Sequence, residues 1–232
     1  IRDGGDVIKV FTSPKSALAE SFRNLRTNLQ FMSRPGNAHT IAVTSTIGGE
    51  GKTTVCINLG AIMSIAGKKT VILNLDMRKP TLHEKFGLSN RQGMSTLLSE
   101  STPLTTVIQH TEYENLDIIT SGPVPPNPSE LIQSILMEKL LEKLKEVYDV
   151  IIMDTPPIGL VTDARTLMDF ADTSIYVLRA GYSKKAFFKN ITELSRHEEI
   201  NSLGVLINDI KAGDSGYGYG YGYGYGYGYY EE

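Results

Sequence analysis

The residues with the clearest chemical potential form a glycine-rich segment. It lies between an apolar run at 41–45 and a stretch with helical spacing at 51–66, and it comprises Gly48, Gly49, Glu50, Gly51, Lys52, Thr53 and Thr54. Glycines let backbone amides approach phosphate oxygens, and a helix N-terminus adds its positive dipole end. Lys52 would reach the β- and γ-phosphates of a nucleotide, and the Thr53 hydroxyl would bind Mg²⁺. The segment predicts a phosphate-binding loop, in a variant form because Thr46 replaces the usual first glycine.

Two acidic residues follow other apolar runs. Asp154 closes VIIMD and precedes TPP, while Asp76 follows VILNL. Ligands of open α/β sheets bind at the C-terminal ends of the strands. An acid at the position of Asp154 orients magnesium through water, and helix capping is its structural alternative. Asp76 by itself is equally consistent with an exposed turn.

Strands and helices must alternate to position these residues. Apolar or β-branched runs predict strands at 41–45, 70–75, 115–120, 148–154, 172–179 and 202–208. Helical spacing occurs at 13–32, 51–66, 129–146, 162–170 and 184–198. This alternation predicts an α/β fold with a doubly wound, mostly parallel sheet and helices on both faces.

The 232 residues suffice for one substantial core. We predict an N-terminal extension at 1–12, a P-loop domain at 13–212 and a tail at 213–232. The extension is a fragment, a tag remnant or a piece of a fused partner such as an activator, and the sequence leaves these alternatives open. The tail is mostly a glycine–tyrosine repeat that cannot build a core, so we expect it to be disordered.

Composition narrows the range of functions. The net charge of -3 and the pI near 5.9 argue against nucleic acid as a partner. The single cysteine, Cys56, excludes an intramolecular disulfide and fits a reducing, cytoplasmic setting. No apolar run is long enough to cross a bilayer, so we expect a soluble chain.

Taken together, three motifs resemble those of a known family. TSTIGGEGKTT, VILNLDMRKPT and VIIMDTPP resemble the Walker A, Walker A′ and Walker B motifs of the bacterial tyrosine kinases, which have a P-loop NTPase fold similar to that of the partition ATPases. The resemblance extends to the segments 20–26 and 122–131 and to the terminal tyrosines. It implies an ATP-dependent protein-tyrosine kinase of capsule and exopolysaccharide systems, held at the inner face of the membrane by a transmembrane activator of the polysaccharide co-polymerase type.

The resemblance also assigns roles to individual residues. Residues 48–54 would hold the phosphates of ATP or ADP, and Lys52 would stabilise charge on the transferred phosphoryl group. Thr53, Asp76 and Asp154 would organise Mg²⁺, and Asn208 would contact adenine.

Asn74 departs from the family pattern. In the family the first acid of the Walker A′ motif lies near the incoming tyrosine hydroxyl, and this chain has an amide there, which cannot accept a proton. Either Asn74 is a substitution that traps an inactive state, or it is a natural variant in which Asp76 does the work.

Glu20, Arg23 and Arg26 share neighbouring positions on the predicted N-terminal helix. For an arbitrary helix, local ion pairs on a solvated face would explain them. By resemblance, the pattern joins subunits in a ring, which in this family is typically octameric.

The tail supplies the predicted phosphate acceptors. They are Tyr217, Tyr219, Tyr221, Tyr223, Tyr225, Tyr227, Tyr229 and Tyr230. Adhesive low-complexity sequence is the alternative for such a repeat. We expect transfer in trans around the ring, release of the ring by the added charge, and reversal by a phosphatase.

Two other functions remain open. A partition or septum-type ATPase shares the fold, but its loop begins with a lysine where this chain has Ile47. A non-catalytic, nucleotide-dependent assembly module fits the amide at Asn74.

Overall fold

The computed structural model describes residues 8–32, 37–197 and 200–210. In this part of the chain one seven-stranded sheet has the order β3-β4-β2-β5-β1-β6-β7, and all neighbouring pairs are parallel except β3 with β4. The strands are β1 (His39–Ser45), β2 (Thr70–Asn74), β3 (Ile108–His110), β4 (Leu116–Ile119), β5 (Val150–Asp154), β6 (Thr173–Arg179) and β7 (Leu203–Asn208). The predicted doubly wound, mostly parallel fold is confirmed.

Ten helices connect and cover the strands within the described ranges. They are α1 (Lys9–Thr12), α2 (Ala17–Met32), α3 (Lys52–Ile65), α4 (Leu82–Phe86), α5 (Met94–Leu98), α6 (Leu104–Val107), α7 (Pro128–Ile132), α8 (Ile135–Lys145), α9 (Asp163–Asp169) and α10 (Phe187–Leu194). Among them, none has the length and apolar character needed to cross a bilayer.

Two apolar clusters lie on opposite faces of the sheet. Alternate residues of the central strands enter different clusters: Ile152 of β5 packs with α2 and α3, whereas Ile151 packs with α5, α7, α8 and α9. Central strands are buried at every position, which explains why their sequences are continuous apolar runs rather than alternating ones.

The structure differs from the sequence prediction in several elements. The helix predicted at 129–146 is two helices, because Ser134 is extended and its hydroxyl bonds the Leu131 carbonyl at 2.7 Å. β3 and the short helices α1, α4, α5 and α6 were not predicted.

The predicted N-terminal extension is partly packed on the body. Val10 is buried, its amide donates to Asn58 Oδ1 at 3.3 Å, and Phe11 stacks on Tyr113 with a centroid separation of 4.1 Å. Residues 8–12 therefore contribute to the core beside α3.

Candidate functional site

The phosphate-binding loop lies between β1 and α3. Gly49 and Gly51 have φ angles of 84° and 101°, a region that side chains rarely adopt. A Cβ at Gly51 would collide with the side-chain amide of Asn208. Lys52 begins α3 and is buried, and its ammonium group lies near enough to Asp154 to interact with that carboxyl group. Glycine is required at both positions for conformational reasons and, at Gly51, for space.

The loop is held from within by a buried carboxylate. Glu50 accepts the backbone N–H of Ile47 at 2.8 Å, and its other oxygen accepts the Ser183 hydroxyl. The Asn208 side chain donates to the Glu50 carbonyl at 3.1 Å. Asn208 was predicted to contact adenine, and the structure places it against the phosphate loop at the end of β7.

Two further side chains hold the loop from outside. The Tyr182 hydroxyl donates to the Gly48 carbonyl at 3.1 Å, and Arg179 Nη1 donates to the Gly49 carbonyl at 3.2 Å. Arg179 also pairs with Asp209 at 3.0 Å and lies 5.3 Å from the centroid of the Tyr182 ring. Arg179, Tyr182 and Ser183 were not predicted as site residues. Their place at or just after the end of a predicted strand was the available signal.

Asp154 ends β5 and faces the loop. It is 2% exposed, and its Oδ2 accepts the Thr53 hydroxyl at 2.7 Å, while its Oδ1 has no hydrogen-bond partner among the described residues. Burial raises the pKa of Asp154 to about 6, an effect that the nearby Lys52 ammonium partly opposes. The carboxyl group is therefore costly to ionise until a cation joins it.

Asn74 ends β2 in register with Asp154. It is 1% exposed, and within residues 8–32, 37–197 and 200–210 neither its Oδ1 nor its Nδ2 has a hydrogen-bond partner. Asp76 lies two residues further on, where its backbone N–H donates to the Asp154 carbonyl at 3.1 Å. Its half-buried side chain accepts the Lys79 N–H at 3.1 Å. The structure thus brings Asn74, Asp76 and Asp154 to neighbouring strand ends.

The unpartnered atoms indicate a ligand of a particular kind. Buried polar groups without partners are rare because each loses its hydration without compensation. Here they are one carboxylate oxygen and one amide beside a hydroxyl and an ammonium group. Oxygen donors of this kind suit Mg²⁺, which also keeps several waters and phosphate oxygens as ligands. The residues present therefore fit magnesium with a nucleotide phosphate.

A second network, missed by sequence analysis, fixes the segment after Asp76. Arg78 donates to the buried carboxylate of Asp163 at 3.0 Å and to the Ser129 hydroxyl at 3.0 Å, and Ser129 in turn donates to Asp163 at 2.6 Å. These contacts join the strand end to the first turns of α7 and α9. The acid-bearing segment is thereby anchored on the opposite side of the site from Tyr182.

The predicted subunit-contact residues all lie on α2. Glu20 and Arg23 pair with each other at 2.8 Å, and Arg23 also donates to the Pro14 carbonyl. Arg26 Nη1 donates to the Ile62 carbonyl of α3 at 3.4 Å. Their role between subunits stays a prediction. The tail with its predicted acceptor tyrosines lies outside the described residues.

Comparisons with known proteins agree with this geometry. A family model described as an AAA domain matches residues 38–202. Tyrosine-protein kinase YwqD of Bacillus subtilis (strain 168) is 37% identical over 86% of this chain and 84% of its own length. The chimerical protein CapA2B2 has 40% identity and a TM-score of 0.82 over 87% of this chain and 89% of its own.

The kinase domain of Escherichia coli tyrosine kinase ETK is also similar in structure. It has 33% identity and a TM-score of 0.83 over 93% of this chain and 85% of its own. The residues that the family model matches include the phosphate loop and the strand ends that carry Asp76 and Asp154. The chain therefore belongs to the bacterial tyrosine-protein kinase family.

Proposed function

We propose that this kinase binds Mg²⁺ with ATP and transfers the γ-phosphoryl group to tail tyrosines of a neighbouring copy. The observation that carries the proposal is the pair of buried, unpartnered groups at Asp154 and Asn74 beside Lys52 and Thr53. A magnesium nucleotide would satisfy these groups. The loop itself already has its hydrogen bonds, so binding requires little rearrangement.

The transfer forms a bond between the tyrosine oxygen and the γ-phosphorus and breaks the bond between that phosphorus and the β–γ bridging oxygen. ADP leaves with the bridging oxygen, and the phenol loses its proton. Magnesium would neutralise charge on the phosphates, with Thr53, Asp76 and Asp154 as its protein neighbours. Lys52 would stabilise the negative charge of the transferred group.

We propose that Asp76, rather than Asn74, accepts the proton that the phenol loses. Asp76 is half-buried, which leaves its carboxylate within reach of an incoming tyrosine, and the Lys79 amide fixes its orientation. The buried Asn74 amide can orient the phenol but cannot accept its proton.

Assembly and partners follow from the family resemblance. Copies would form a ring through Glu20, Arg23 and Arg26. The mass of the assembly in solution, measured before and after phosphorylation, tests this. Each phosphotyrosine adds about -1.5 to -2 charges, so the phosphorylated ring should dissociate, and an unchanged mass would defeat this cycle. A membrane activator and a phosphatase would complete it, in control of capsular or extracellular polysaccharide synthesis.

One mixing experiment tests transfer between copies. An active chain that ends at Ala212 is incubated with Mg²⁺, ATP and a full-length Lys52→Met chain, and the phosphorylation sites are then mapped by mass spectrometry. We expect phosphate on the tail of the Lys52→Met chain in the mixture and none when that chain is incubated alone. Tails that stay unmodified in the mixture would contradict transfer in trans.

The amide at Asn74 supports a second candidate, a nucleotide-dependent assembly module without kinase activity. The two functions separate in one comparison. A module binds magnesium nucleotide and changes its mass in solution, yet it incorporates no phosphate even with an activator present. Incorporation that appears only after Asn74→Asp would favour this second candidate.

A further inference from the structure

The edge strand β7 exposes an apolar face. It is the last strand of the sheet, and β6 is its sheet neighbour among the described residues. Its sequence, LGVLIN, contains no charge and no proline. Natural proteins usually protect an open edge with charged residues or proline, or cover it with another segment, because unpaired N–H and C=O groups can pair with another strand. The sequence of β7 lacks this protection.

The exposed side chains of β7 share one face of the sheet. Val205 is 48% exposed and Ile207 is 53% exposed, and both point to the side on which Leu203 packs with α10. Phe188 of α10 is exposed as well. The other face of β7 carries Leu206, which packs with the cluster around α3, and Asn208, which bonds the phosphate loop. Among the described residues, nothing covers Val205 and Ile207 on one face of the strand, whereas the other face contacts the cluster around α3 and the phosphate loop.

The segment that follows β7 matches this edge in length and pattern. Asp209 has a φ of 60°, a left-handed conformation typical of a chain reversal. Residues 211–216 read KAGDSG, a turn-forming composition. The repeat from Tyr217 onward alternates tyrosine with glycine, and a strand with that period places all its tyrosines on one face.

We propose that residues 217–221 of the same chain add to β7 as an antiparallel strand. Its tyrosine side chains then lie beside those of β7 on the same face of the sheet, with Tyr217 next to Ile207, Tyr219 next to Val205 and Tyr221 next to Leu203. Aromatic and β-branched side chains pair favourably across strands. The glycines face the side of Leu206 and Asn208, where they crowd neither residue. A short loop at 209–216 suffices for this connection, and no separate core is needed.

The docked strand withholds the first three tyrosines from other copies. This consequence rests on the proposed function, whereas the docking itself does not. A phosphoryl group on any of the three places charge over Val205 and Ile207, which opposes docking. Tail docking thus acts as an autoinhibitory contact that phosphorylation removes.

Amide hydrogen exchange tests the docking without any catalysis. The full-length Lys52→Met chain, which carries no self-added phosphate, is compared with the same chain ending at Ala212. We expect amides of β7 to exchange at least roughly tenfold more slowly in the full-length chain. The same slowing at several protein concentrations assigns the tail to its own copy. Equal exchange in the two chains, or slowing only at high concentration, overturns the proposal.

Matched variants test the register. Replacing Tyr217, Tyr219 and Tyr221 by serine should abolish the slow exchange of β7, whereas replacing Tyr225, Tyr227 and Tyr229 should leave it in place. Val205→Asp should speed the exchange of β7 amides as truncation does. Val147→Asp, at another exposed apolar position, should leave that exchange slow. Equal effects of the two tyrosine triplets contradict the assigned strand. Because these tests use neither ATP nor an activator, they fail independently of the proposed kinase reaction.

Discussion

The two halves of the proposed nucleotide site differ in how completely they are hydrogen-bonded. On the loop half, Glu50, Ser183 and Asn208 bond one another or the loop backbone, with Tyr182 and Arg179 outside them. On the acid half, Asp154 and Asn74 hold buried polar atoms that have no partner in the part of the chain that the structure describes. The loop half is organised before a ligand binds. In the acid half, the buried polar atoms have lost their hydration without compensation, and a bound ligand would supply the missing contacts. Removing a buried charge from the acid half should therefore stabilise the nucleotide-free protein and greatly reduce activity, whereas removing a hydrogen bond from the loop half should slightly destabilise the protein and change activity little.

The largest effect should come from Asp154→Asn. Loss of the carboxylate should lower tyrosine phosphorylation by more than about 100-fold, since magnesium loses a ligand. The nucleotide-free protein should instead become more stable at pH 7, by roughly 3 kcal/mol, because a buried group with a pKa near 6 no longer has to ionise. Denaturant unfolding and a phosphorylation assay measure the two quantities.

The pH dependence of unfolding supplies the control for Asp154→Asn. A folded pKa above the unfolded value means that the native state binds the extra proton, so this contribution to stability grows as pH falls from about 6 toward 4 and is lost as pH rises through 6. The variant should lack this contribution. Identical pH profiles for the two proteins would show that Asp154 ionises without penalty.

Asn74→Asp should have the opposite effects to Asp154→Asn: it should lower the stability of the nucleotide-free protein and raise its phosphorylation rate. A second carboxylate in register with Asp154 should destabilise the nucleotide-free protein by about 1–3 kcal/mol through burial and repulsion. With Mg²⁺ and ATP it should raise the phosphorylation rate only a few-fold, because Asp76 already accepts the phenol proton and the added carboxylate merely stands beside it. A rise of about 100-fold or more would contradict the assignment of the proton to Asp76.

Arg78→Ala should destabilise the anchor of the acid half. The substitution leaves the buried Asp163 carboxylate with Ser129 as its remaining side-chain donor, and we expect a loss of about 1–3 kcal/mol, less than for a fully buried pair because Arg78 is partly exposed. Arg78→Lys should restore the charge but not the two-point contact. Unfolding midpoints of the three proteins should rank as arginine, lysine, alanine.

Tyr182→Phe should have the smallest effect. It removes one hydrogen bond to the Gly48 carbonyl at the surface, worth about 0.5–1.5 kcal/mol. We expect KM for ATP to rise by a few-fold with kcat nearly unchanged, because the loop loses a support and no reacting group. A large fall in kcat would mean that Tyr182 takes part in the chemistry.

The loop half and the acid half also differ in how much of them the sequence predicts. The glycine-rich loop, Asp154 and Asp76 are contiguous with apolar runs, so local pattern located them. Arg179, Tyr182 and Ser183 lie about 130 residues from the loop, and their contacts exist only because β6 pairs with β1. No local pattern contains that pairing.

The fold shows the same division between local and long-range information. All six predicted strands are present because their apolar runs are long and bounded by turn residues. β3 has three residues, too few to show alternation, and its place depends on pairing with β4. The break at Ser134 has no glycine or proline to mark it, so the two helices α7 and α8 read as one.

Calorimetry of ADP binding with and without Mg²⁺ shows whether a metal-bound nucleotide completes the acid half. We expect tight binding that requires Mg²⁺ and that weakens as pH falls below 6, where Asp154 takes up its proton. In Asp154→Asn, binding should be weak and indifferent to Mg²⁺. Equal affinity in Mg²⁺ and in EDTA, for the unmodified chain at pH 7, would contradict the claim that the acid half is completed by a metal-bound nucleotide.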